Sequence, residues 1–166
     1  MNLNIRLARI EEFETALELL RNAALWLKSK HIDHWQNWIN PSEIYINLIK
    51  EGFELEQFYF ILNNETIIGM FRLLWEDELF WGKQENNAGY IHSFTIDRKY
   101  YGLGIGTKVL NMVENICREN NKKYLRLDCG ARNNGLSKYY EDYGFKQLGI
   151  IEVYNEQLQL YEKELV

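Results

Sequence analysis

Alternating glycines mark the segment Tyr101-Gly102-Leu103-Gly104-Ile105-Gly106-Thr107. Glycine lets a backbone approach a ligand closely, and the free N–H groups at the start of a following helix point together and carry partial positive charge. Such a segment can cradle an anion such as a phosphate group. The same glycines also suit a tight connection between a strand and a helix, so the segment by itself leaves both interpretations open.

Two common phosphate-binding motifs do not fit this segment. The dinucleotide fingerprint Gly-x-Gly-x-x-Gly requires glycine at position 107, which is Thr107, and no acidic residue ends a suitable following strand. A Walker A loop requires Gly-Lys-Ser/Thr after four intervening residues, whereas here Lys108 follows Thr107. Both motifs are therefore excluded.

Two other side chains have pKa values that suit proton transfer. His92 lies in a predicted strand near the glycine segment, and an ordinary imidazole pKa of about 6.5 suits a general base. Tyr140 lies on a short predicted helix one turn before Gly144, and its phenol, with a pKa of about 10, can give a proton to a leaving group. Both have structural alternatives, because a strand histidine is usually hydrogen-bonded within the fold and Tyr140 has Tyr139 and Tyr143 beside it as packing partners.

Aromatic rings and carboxylates gather at two further places in the sequence. The first contains Trp26, His31, His34, Trp35 and Trp38, around the end of the first predicted helix, and the second contains Trp75, Glu76, Asp77, Glu78 and Trp81. Rings beside carboxylates bind amines through cation–π contacts and charge pairing. This favours a cationic ligand, with Trp35, Trp75 and Glu76 as candidate contacts. Core packing is the alternative for Trp26 and Trp35, and a solvated turn is the alternative for Glu76 and Asp77.

These candidates lie between segments of regular pattern. Apolar residues that alternate or run together predict strands at residues 3–8, 58–62, 66–75, 90–96, 124–128, 145–151 and 157–165. Apolar residues three and four apart predict helices from Glu11 to Leu27, from Pro41 onwards, over 107–119 and over 136–143. The Asn63-Asn64 pair tolerates the positive φ of a hairpin turn. The pattern predicts an α+β or mixed α/β fold with a central sheet and helices on its faces.

Composition bounds the class of protein. The chain has 166 residues, 46% hydrophobic and 26% charged, with Pro41 as its only proline and no linker, so we expect one domain over residues 1–166. The net charge of −5 without a basic block argues against nucleic-acid or anionic-membrane binding and favours a cationic small molecule. Cys117 and Cys129 lack the number and spacing of a disulfide framework or zinc site, so we expect reduced core thiols and no metal. No signal or membrane-spanning stretch occurs, which predicts a cytoplasmic protein.

Several separated motifs, in the same order along the chain, resemble the GNAT superfamily of N-acetyltransferases. The acetyl-CoA loop of that family has the form Arg/Gln-x-x-Gly-x-Gly/Ala directly after a central strand. The segment from Tyr101 to Gly106 matches it, except that Tyr101 stands in the Arg/Gln place. The segments 90–96 and 125–129 resemble the family's strands before the loop and after the following helix. Asn133, Tyr140 and the Gly144-Phe145 pair match the family's later segment.

The resemblance covers most of the chain and implies both a fold and an activity. The implied fold is a GNAT-like central mixed, mostly antiparallel sheet of about seven strands with helices on both faces. The implied activity is transfer of an acetyl group from acetyl-CoA, as cosubstrate and without a metal, to a primary amine by direct attack. Together with the rings and carboxylates described above, it predicts a small, cationic amine as the acceptor.

The same resemblance implies roles for individual residues. Contacts to acetyl-CoA are expected from Phe94, Ile96, Tyr101, Gly102, Leu103, Gly104, Ile105, Gly106, Thr107 and Asn133. Tyr140 is expected to protonate the departing CoA thiolate, and His92 to take the amine proton directly or through water. A carboxylate such as Glu76, or solvent, is the alternative base. The alternative functions are a CoA-binding sensor, a protein-contact module, or acetylation of a protein or peptide amine, and the sequence is compatible with a monomer and with a homodimer.

Overall fold

Seven strands and five α-helices follow one another along residues 1–166, all of which the computed structural model describes. The strands are β1 (Leu3–Leu7), β2 (Phe58–Asn63), β3 (Thr66–Leu74), β4 (Ala88–Ile96), β5 (Tyr124–Gly130), β6 (Lys146–Val153) and β7 (Glu156–Glu164). The helices are α1 (Phe13–Ser29), α2 (Glu43–Glu54), α3 (Glu78–Trp81), α4 (Ile105–Glu119) and α5 (Asn134–Tyr143). None of these helices combines the length and the apolar character needed to cross a membrane.

The strands form one sheet in the order β1-β2-β3-β4-β5-β7-β6. Strand β4 runs parallel to β5, whereas β1 with β2, β2 with β3, β5 with β7 and β6 with β7 are antiparallel pairs. Tight hairpins occur where residues of positive φ permit them: Asn64 (φ 55°) follows β2, and Tyr154 and Asn155 (φ 50° and 62°) follow β6. The predicted α+β fold with a mixed, mostly antiparallel sheet is confirmed.

Residue contacts divide the chain into two units, the first of which comprises Met1–Arg72 and Ser93–Val109. In this unit the apolar faces of α1 and α2 pack together with inward residues of β2 and β3. The buried cluster consists of Ala16, Leu17, Leu20, Ile49, Phe53, Phe58, Phe60, Leu62 and Met70. Trp35 and Trp38 pack against this cluster, so part of the aromatic loop after α1 extends the core of the first unit.

The second unit comprises Leu73–His92 and Leu110–Val166. Here α4 packs so closely on β4 that any side chain in place of Gly89 would meet the sulfur of Cys117. Cys117 and Cys129 are both buried and free, which confirms the prediction of reduced thiols in a core. The boundaries of both units fall inside β3, β4 and α4, and a single domain over residues 1–166 stays a prediction.

Helix α3 is the one α-helix that the sequence pattern did not predict. Its four residues form a single turn, which is too short for apolar residues to repeat at intervals of three and four. Helix α4 begins at Ile105 instead of position 107, so Gly106 and Thr107 lie in its first turn. The other predicted elements agree with the structure to within about two residues at each end.

Gly69 of β3 occupies a position where the first unit has no room for a side chain. A Cβ there would lie 2.4 Å from the carbonyl oxygen of Thr95 in β4. A backbone atom cannot rotate away as a side chain can, so Gly69→Ala should lower the free energy of unfolding by about 1–3 kcal/mol, the usual range for overpacking. Denaturant unfolding followed by circular dichroism measures this difference.

Gly135→Ala is the matched control, because a Cβ at this position in α5 would meet only the Asn133 side chain, at 3.9 Å. Alanine stabilises a helix by about 0.5–1 kcal/mol relative to glycine, so this variant should be at least as stable as the parent protein. Equal stability of the two variants would contradict the close approach of β3 and β4 at Gly69.

Candidate active site

The glycine segment joins β4 to α4 through a short 3₁₀ turn, Arg98–Tyr100. The Lys108 N–H donates to the Gly104 carbonyl oxygen at 3.3 Å, so the N–H groups of residues 105–107 precede this bond and have no acceptor within the helix. Gly102 and Gly104 have φ of 78° and 68°, and a Cβ at either position would meet nothing within 4 Å. Open space therefore borders a helix N-terminus here, and the loop fits an anion such as the phosphates of CoA.

Tyr101 is uncharged, but its ring stacks on the positively charged guanidinium of Arg98. The Arg98 guanidinium carbon lies 4.7 Å from the centroid of the Tyr101 ring and 3.4 Å from that of Trp26. Burial lowers the pKa of Arg98 from its ordinary value, yet a guanidinium stays protonated at any working pH. A positive charge therefore lies beside the glycine segment, and Trp26 is its stacking partner.

Strand β4 continues after its pairing with β5 has ended. That register ends at the pair Ile91–Leu127, whereas β4 extends to Ile96. Ser93 has φ of 53°, an unusual value within a strand, so β4 is distorted just after the last pair. Phe94 and Ile96, which the resemblance assigns to the acetyl-CoA arm, lie in this last part of the strand.

His92 is the first residue of β4 past that register, and it lies between two carboxylates of the second unit. Its Nε2 is 2.7 Å from Asp77 Oδ2, and its Nδ1 is 3.7 Å from Asp128 Oδ2. The centroid of the Phe80 ring lies 4.8 Å from that of the imidazole. The side chains of His92, Asp77 and Asp128, called the His92 cluster below, are 20%, 7% and 11% exposed, so solvent screens their charges weakly.

Asp128 is the member of the His92 cluster whose protonation is most perturbed. Its pKa is raised to about 6, chiefly by burial; His92 opposes the rise, and the negative charges of Asp77 and Glu156 add to it. Its Oδ2 is buried and accepts no hydrogen bond. A buried carboxylate oxygen without a hydrogen bond favours a cation or a proton close by, so the cluster attracts positively charged groups.

Asp77 fixes the orientation and tautomer of the imidazole. It holds the N-cap position of α3 but makes no capping hydrogen bond, although such a bond typically stabilises a helix by about 1 kcal/mol. Its carboxylate is directed to His92 instead. Because an ionised carboxylate can only accept, Nε2 carries the hydrogen, and Nδ1 is the nitrogen that can take up a further proton.

Tyr140 and Asn133 lie at opposite ends of α5 in the second unit. Tyr140 is 5% exposed, and the ring centroids of Tyr139, Phe145 and Tyr161 lie 5.4, 5.7 and 5.8 Å from its own. Burial raises the pKa of the Tyr140 phenol well above its ordinary value, so the phenol keeps its proton. Asn133 caps α5, because its Oδ1 accepts a hydrogen bond from the Leu136 N–H at 3.1 Å.

Comparison with known proteins identifies the family to which this arrangement belongs. The family model described as acetyltransferase (GNAT) family matches residues 16–145. The chain belongs to this family. A relative from Bacillus subtilis, the uncharacterised N-acetyltransferase YesJ, is 26% identical over 161 residues, which cover 93% of this chain and 86% of YesJ.

Solved structures of GNAT acetyltransferases share the fold. A member from Listeria monocytogenes gives a TM-score of 0.74 at 22% identity, with 98% of this chain and 95% of that chain covered. The structure of AAC(6')-Ib in complex with ribostamycin and coenzyme A gives a TM-score of 0.74 at 17% identity, with 99% and 94% covered. Family and relatives together show that the protein is an acyltransferase.

None of the three predicted acceptor contacts is a member of the His92 cluster. Glu76 is exposed, and its neighbour Asp77 is the residue that reaches the imidazole. Trp75 packs close to Gly89, and the Lys122 amino group lies 5.1 Å from the centroid of its ring. Trp35 packs against the core of the first unit. All three predicted contacts therefore lie outside the His92 cluster.

Asp128 is the residue that reasoning from the sequence missed. A signal for it exists, because residues two apart in a strand face the same side of a sheet. The register pairs Tyr90 with Arg126, so one step further along the same face it brings His92 beside Asp128. That register had to be known before the pair could be recognised.

The glycine segment generates a binding prediction. In Gly104→Val a β-branched side chain would fill the open space at the loop and strain a residue with φ of 68°. We expect the Kd for CoA to rise at least about tenfold, equivalent to about 1.4 kcal/mol, in isothermal titration calorimetry.

Gly82→Val is the matched control, because Gly82 has φ of 66° and a Cβ there would likewise meet nothing within 4 Å. Both variants place a β-branched side chain at a residue of positive φ, but only Gly104 belongs to the loop. A folded Gly104→Val protein that binds CoA as tightly as Gly82→Val would remove the loop from the CoA site.

Proposed function

We propose that this enzyme transfers the acetyl group of acetyl-CoA directly to the primary amine of a small acceptor whose reacting end is a cationic ammonium group. The observation that carries the proposal is the His92 cluster, in which an imidazole lies between the carboxylates of Asp77 and Asp128. Acetyl-CoA supplies an activated thioester. The residues of the chain must then bind the amine, remove its proton and stabilise the departing sulfur.

Removal of the amine proton is assigned to Nδ1 of His92. An ammonium group cannot attack a thioester until it loses a proton, and Asp77 holds the ring in the tautomer whose Nδ1 can accept one. The imidazolium that results is stabilised by Asp77 on one side and by Asp128 on the other. This is the arrangement in which a carboxylate orients a histidine base, and it needs no further group.

The electrostatics of the His92 cluster support a cationic reacting group. Two weakly screened carboxylates and the ring of Phe80 lie beside the imidazole, and carboxylates and aromatic rings both attract an ammonium ion. Glu156 adds further negative potential at Asp128. The structural neighbour AAC(6')-Ib, an aminoglycoside acetyltransferase bound to ribostamycin, supports an acceptor that is a small molecule.

Tyr140 is assigned to the leaving group. Because burial keeps its phenol protonated, it can donate a hydrogen bond to the thioester sulfur as negative charge develops there, whereas the raised pKa opposes complete transfer of that proton to the thiolate. The backbone of the glycine segment, together with Tyr101, Leu103 and Thr107 within it, is assigned to the phosphates. Phe94, Ile96 and Asn133 are assigned to the pantetheine arm.

Direct transfer to the amine is favoured over a route through an acetylated cysteine. Burial raises the pKa of the Cys117 thiol to about 12 and that of Cys129 to about 11. A nucleophilic cysteine needs thiolate character and access to its substrate, and these two buried thiols offer neither. The acceptor amine is then the only nucleophile that the reaction requires.

The proposal is tested by following release of free CoA thiol from acetyl-CoA across a panel of amines, with mass spectrometry of the products. Turnover of small primary amines, with one acetyl group added to each, is the expected result. Binding of CoA without turnover of any amine would point instead to a sensor. Turnover confined to peptide or protein amines would overturn the small-molecule assignment.

Tyr140→Phe keeps the packing volume and removes only the hydroxyl. We expect kcat to fall by about 10- to 1,000-fold while the Kd for acetyl-CoA changes little, because the hydroxyl acts mainly as charge develops on sulfur. Steady-state kinetics and calorimetry separate these two effects.

Tyr143→Phe is the control on the same helix. The Tyr143 hydroxyl lies 2.6 Å from Asn111 Oδ1 and 2.8 Å from Glu114 Oε1, so its loss should lower stability and leave kcat nearly unchanged. The opposite pattern, with normal turnover in Tyr140→Phe and loss in Tyr143→Phe, would move the acid to Tyr143.

His92→Gln keeps a polar side chain and removes the titrating ring. With His92 as base, kcat/KM should fall as the solution is acidified and the ring takes up a proton, because a protonated ring cannot accept the amine proton. In His92→Gln this acidic limb should flatten, and kcat/KM at neutral pH should fall by about 100-fold or more. The measurement is kcat/KM against pH for both proteins.

Asp128 is the competing base, and the same measurement distinguishes it from His92. The charged groups beside the imidazole are Asp77 and Asp128, and the pKa of Asp128 is raised to about 6, chiefly by burial, with Asp77 and Glu156 adding to the rise. Loss of the imidazole removes the positive charge that lowers the Asp128 pKa, so a limb due to Asp128 would persist and move to higher pH. A limb that persists in His92→Gln therefore excludes His92 as the base.

A further inference from the structure

A pocket of about 420 Å³ lies in the second unit, and none of its lining residues belongs to the His92 cluster. It is lined by residues of the segment 83–87 after α3, by Tyr124 and Arg126 of β5, and by Glu162 of β7. This volume falls within the range of small-molecule sites, about 300–1,000 Å³. The roles assigned above leave this pocket without a function.

Arg126 forms one wall of the pocket and is held in a fixed position. Its Nε donates to Glu162 Oε2 at 2.7 Å, and its Nη1 donates to the Tyr90 hydroxyl at 2.8 Å. Three rings surround the guanidinium, with the centroids of Trp81, Tyr90 and Tyr124 at 5.0, 5.6 and 5.4 Å. The residue is 7% exposed, so a charged, oriented guanidinium is already in place before any ligand arrives.

The hydrogen-bond donors of the pocket exceed what the protein itself uses. Nη2 of Arg126 donates to no protein group, and the exposed amino group of Lys83 has no protein partner. Among the acceptors, Glu162 takes the Arg126 Nε–H and Glu85 takes a hydrogen bond from the Asn87 amide at 3.2 Å, whereas the buried Asn87 Oδ1 has no partner. Two cationic donors therefore remain for an anion.

A carboxylate suits this pocket better than a phosphate. An arginine edge and a lysine amino group together can satisfy both oxygens of a carboxylate. Glu85 and Glu162 belong to the same lining, so a dianionic phosphate would meet more repulsion there than a singly charged carboxylate. The pocket thus favours a monoanionic group.

Tyr90 and Trp81, which contact the Arg126 side chain of the pocket, lie beside residues of the His92 cluster. Tyr90 and His92 lie on the same side of β4. The ring centroid of Trp81 in α3 lies 5.8 Å from that of Tyr90, and the ring centroid of Phe80 lies 4.8 Å from that of His92. Arg126 and Asp128 are likewise two residues apart on β5, which separates their backbones by about 7 Å. A small molecule of several bonds is long enough to reach from one to the other.

We propose that this pocket binds a carboxylate of the acceptor through Arg126 and Lys83 while the acceptor's amine lies at the His92 cluster. The inference rests on the proposed function and names its substrate class: small molecules with a primary amine at one end and a carboxylate at the other. The acceptor is then zwitterionic, and each of its two charges meets groups of opposite sign in the second unit.

The test compares straight-chain ω-aminocarboxylates of increasing length with n-alkylamines of the same length, at saturating acetyl-CoA. For the best length, kcat/KM should be at least about tenfold higher for the aminocarboxylate, mainly through KM, since two charge-assisted hydrogen bonds are gained. Lys83→Gln should reduce this preference about fivefold or more, and Arg126→Lys should reduce it also. Glu85→Gln should increase it, because a negative charge at the rim is removed.

Lys146→Gln is the matched control, because Lys146 is also exposed, belongs to the second unit and does not line the pocket. It should leave the preference unchanged. Equal kcat/KM for aminocarboxylates and alkylamines, or a preference that Lys83→Gln and Lys146→Gln alter equally, would overturn the pocket assignment and leave acetyl transfer standing.

A binding measurement separates failure of this inference from failure of the proposed function. Hexanoate, with hexanol as the uncharged probe, is titrated while the indole N–H signal of Trp81, assigned with Trp81→Phe, is followed by NMR. Hexanoate should shift this signal in the parent protein and at least about fivefold less at equal concentration in Lys83→Gln, and hexanol should not shift it. No shift with hexanoate would overturn the pocket, whereas a shift without turnover of any amine would overturn only the proposed reaction.

Discussion

Strand β4 keeps its register with β5 for four residues, from Ala88 to Ile91, and then continues without it. A strand that leaves its ladder gives up hydrogen bonds, which folds tolerate where other groups can use the freed positions. His92 is the first residue past the last pair, Phe94 and Ile96 follow, and the glycine segment comes next along the chain. Strand β4 and the loop after it thus contain, in chain order, a titratable ring, a stretch of backbone outside the β5 ladder and the glycine segment that can bind an anion.

The His92 cluster is a compromise between burial and charge. Two carboxylates that are each about nine-tenths buried repel one another, and burial disfavours the charge of both. The pKa of Asp128 is raised for these two reasons. The imidazole lowers the repulsion between the carboxylates only when it carries a proton. An ammonium group that approaches the cluster supplies the missing positive charge and leaves that charge on the ring when its proton moves. Binding and proton removal therefore use the same electrostatic imbalance.

The sequence was sufficient where the signal is local. Glycine spacing, helical period and strand alternation predicted the loop, the strands and four of the helices, because each depends on neighbours within one element. The role of Tyr140 came from the family resemblance and stays a proposal. Asp128 depends on which residue of β5 faces His92, and a slip of one residue in that register would place it on the opposite side of the sheet. The single turn of α3 is too short to show a helical period in the sequence. The contact of Phe80 with His92 and the hydrogen bond of Asp77 to His92 in place of a helix cap could therefore not be predicted.

Stability alone does not explain the polar side chains along one side of β5. Replacing buried ion pairs by apolar residues of similar volume often preserves or raises stability, and Leu125 and Leu127 show that alternate positions of the same strand are apolar. Arg126 and Asp128, two residues apart, nevertheless carry opposite charges, and each is supported by partners from other elements. This side of β5 therefore carries a positive charge at Arg126 and a negative charge at Asp128, at a fixed separation. A ligand with the complementary dipole gains from both ends at once, whereas an apolar surface of the same shape would recognise neither.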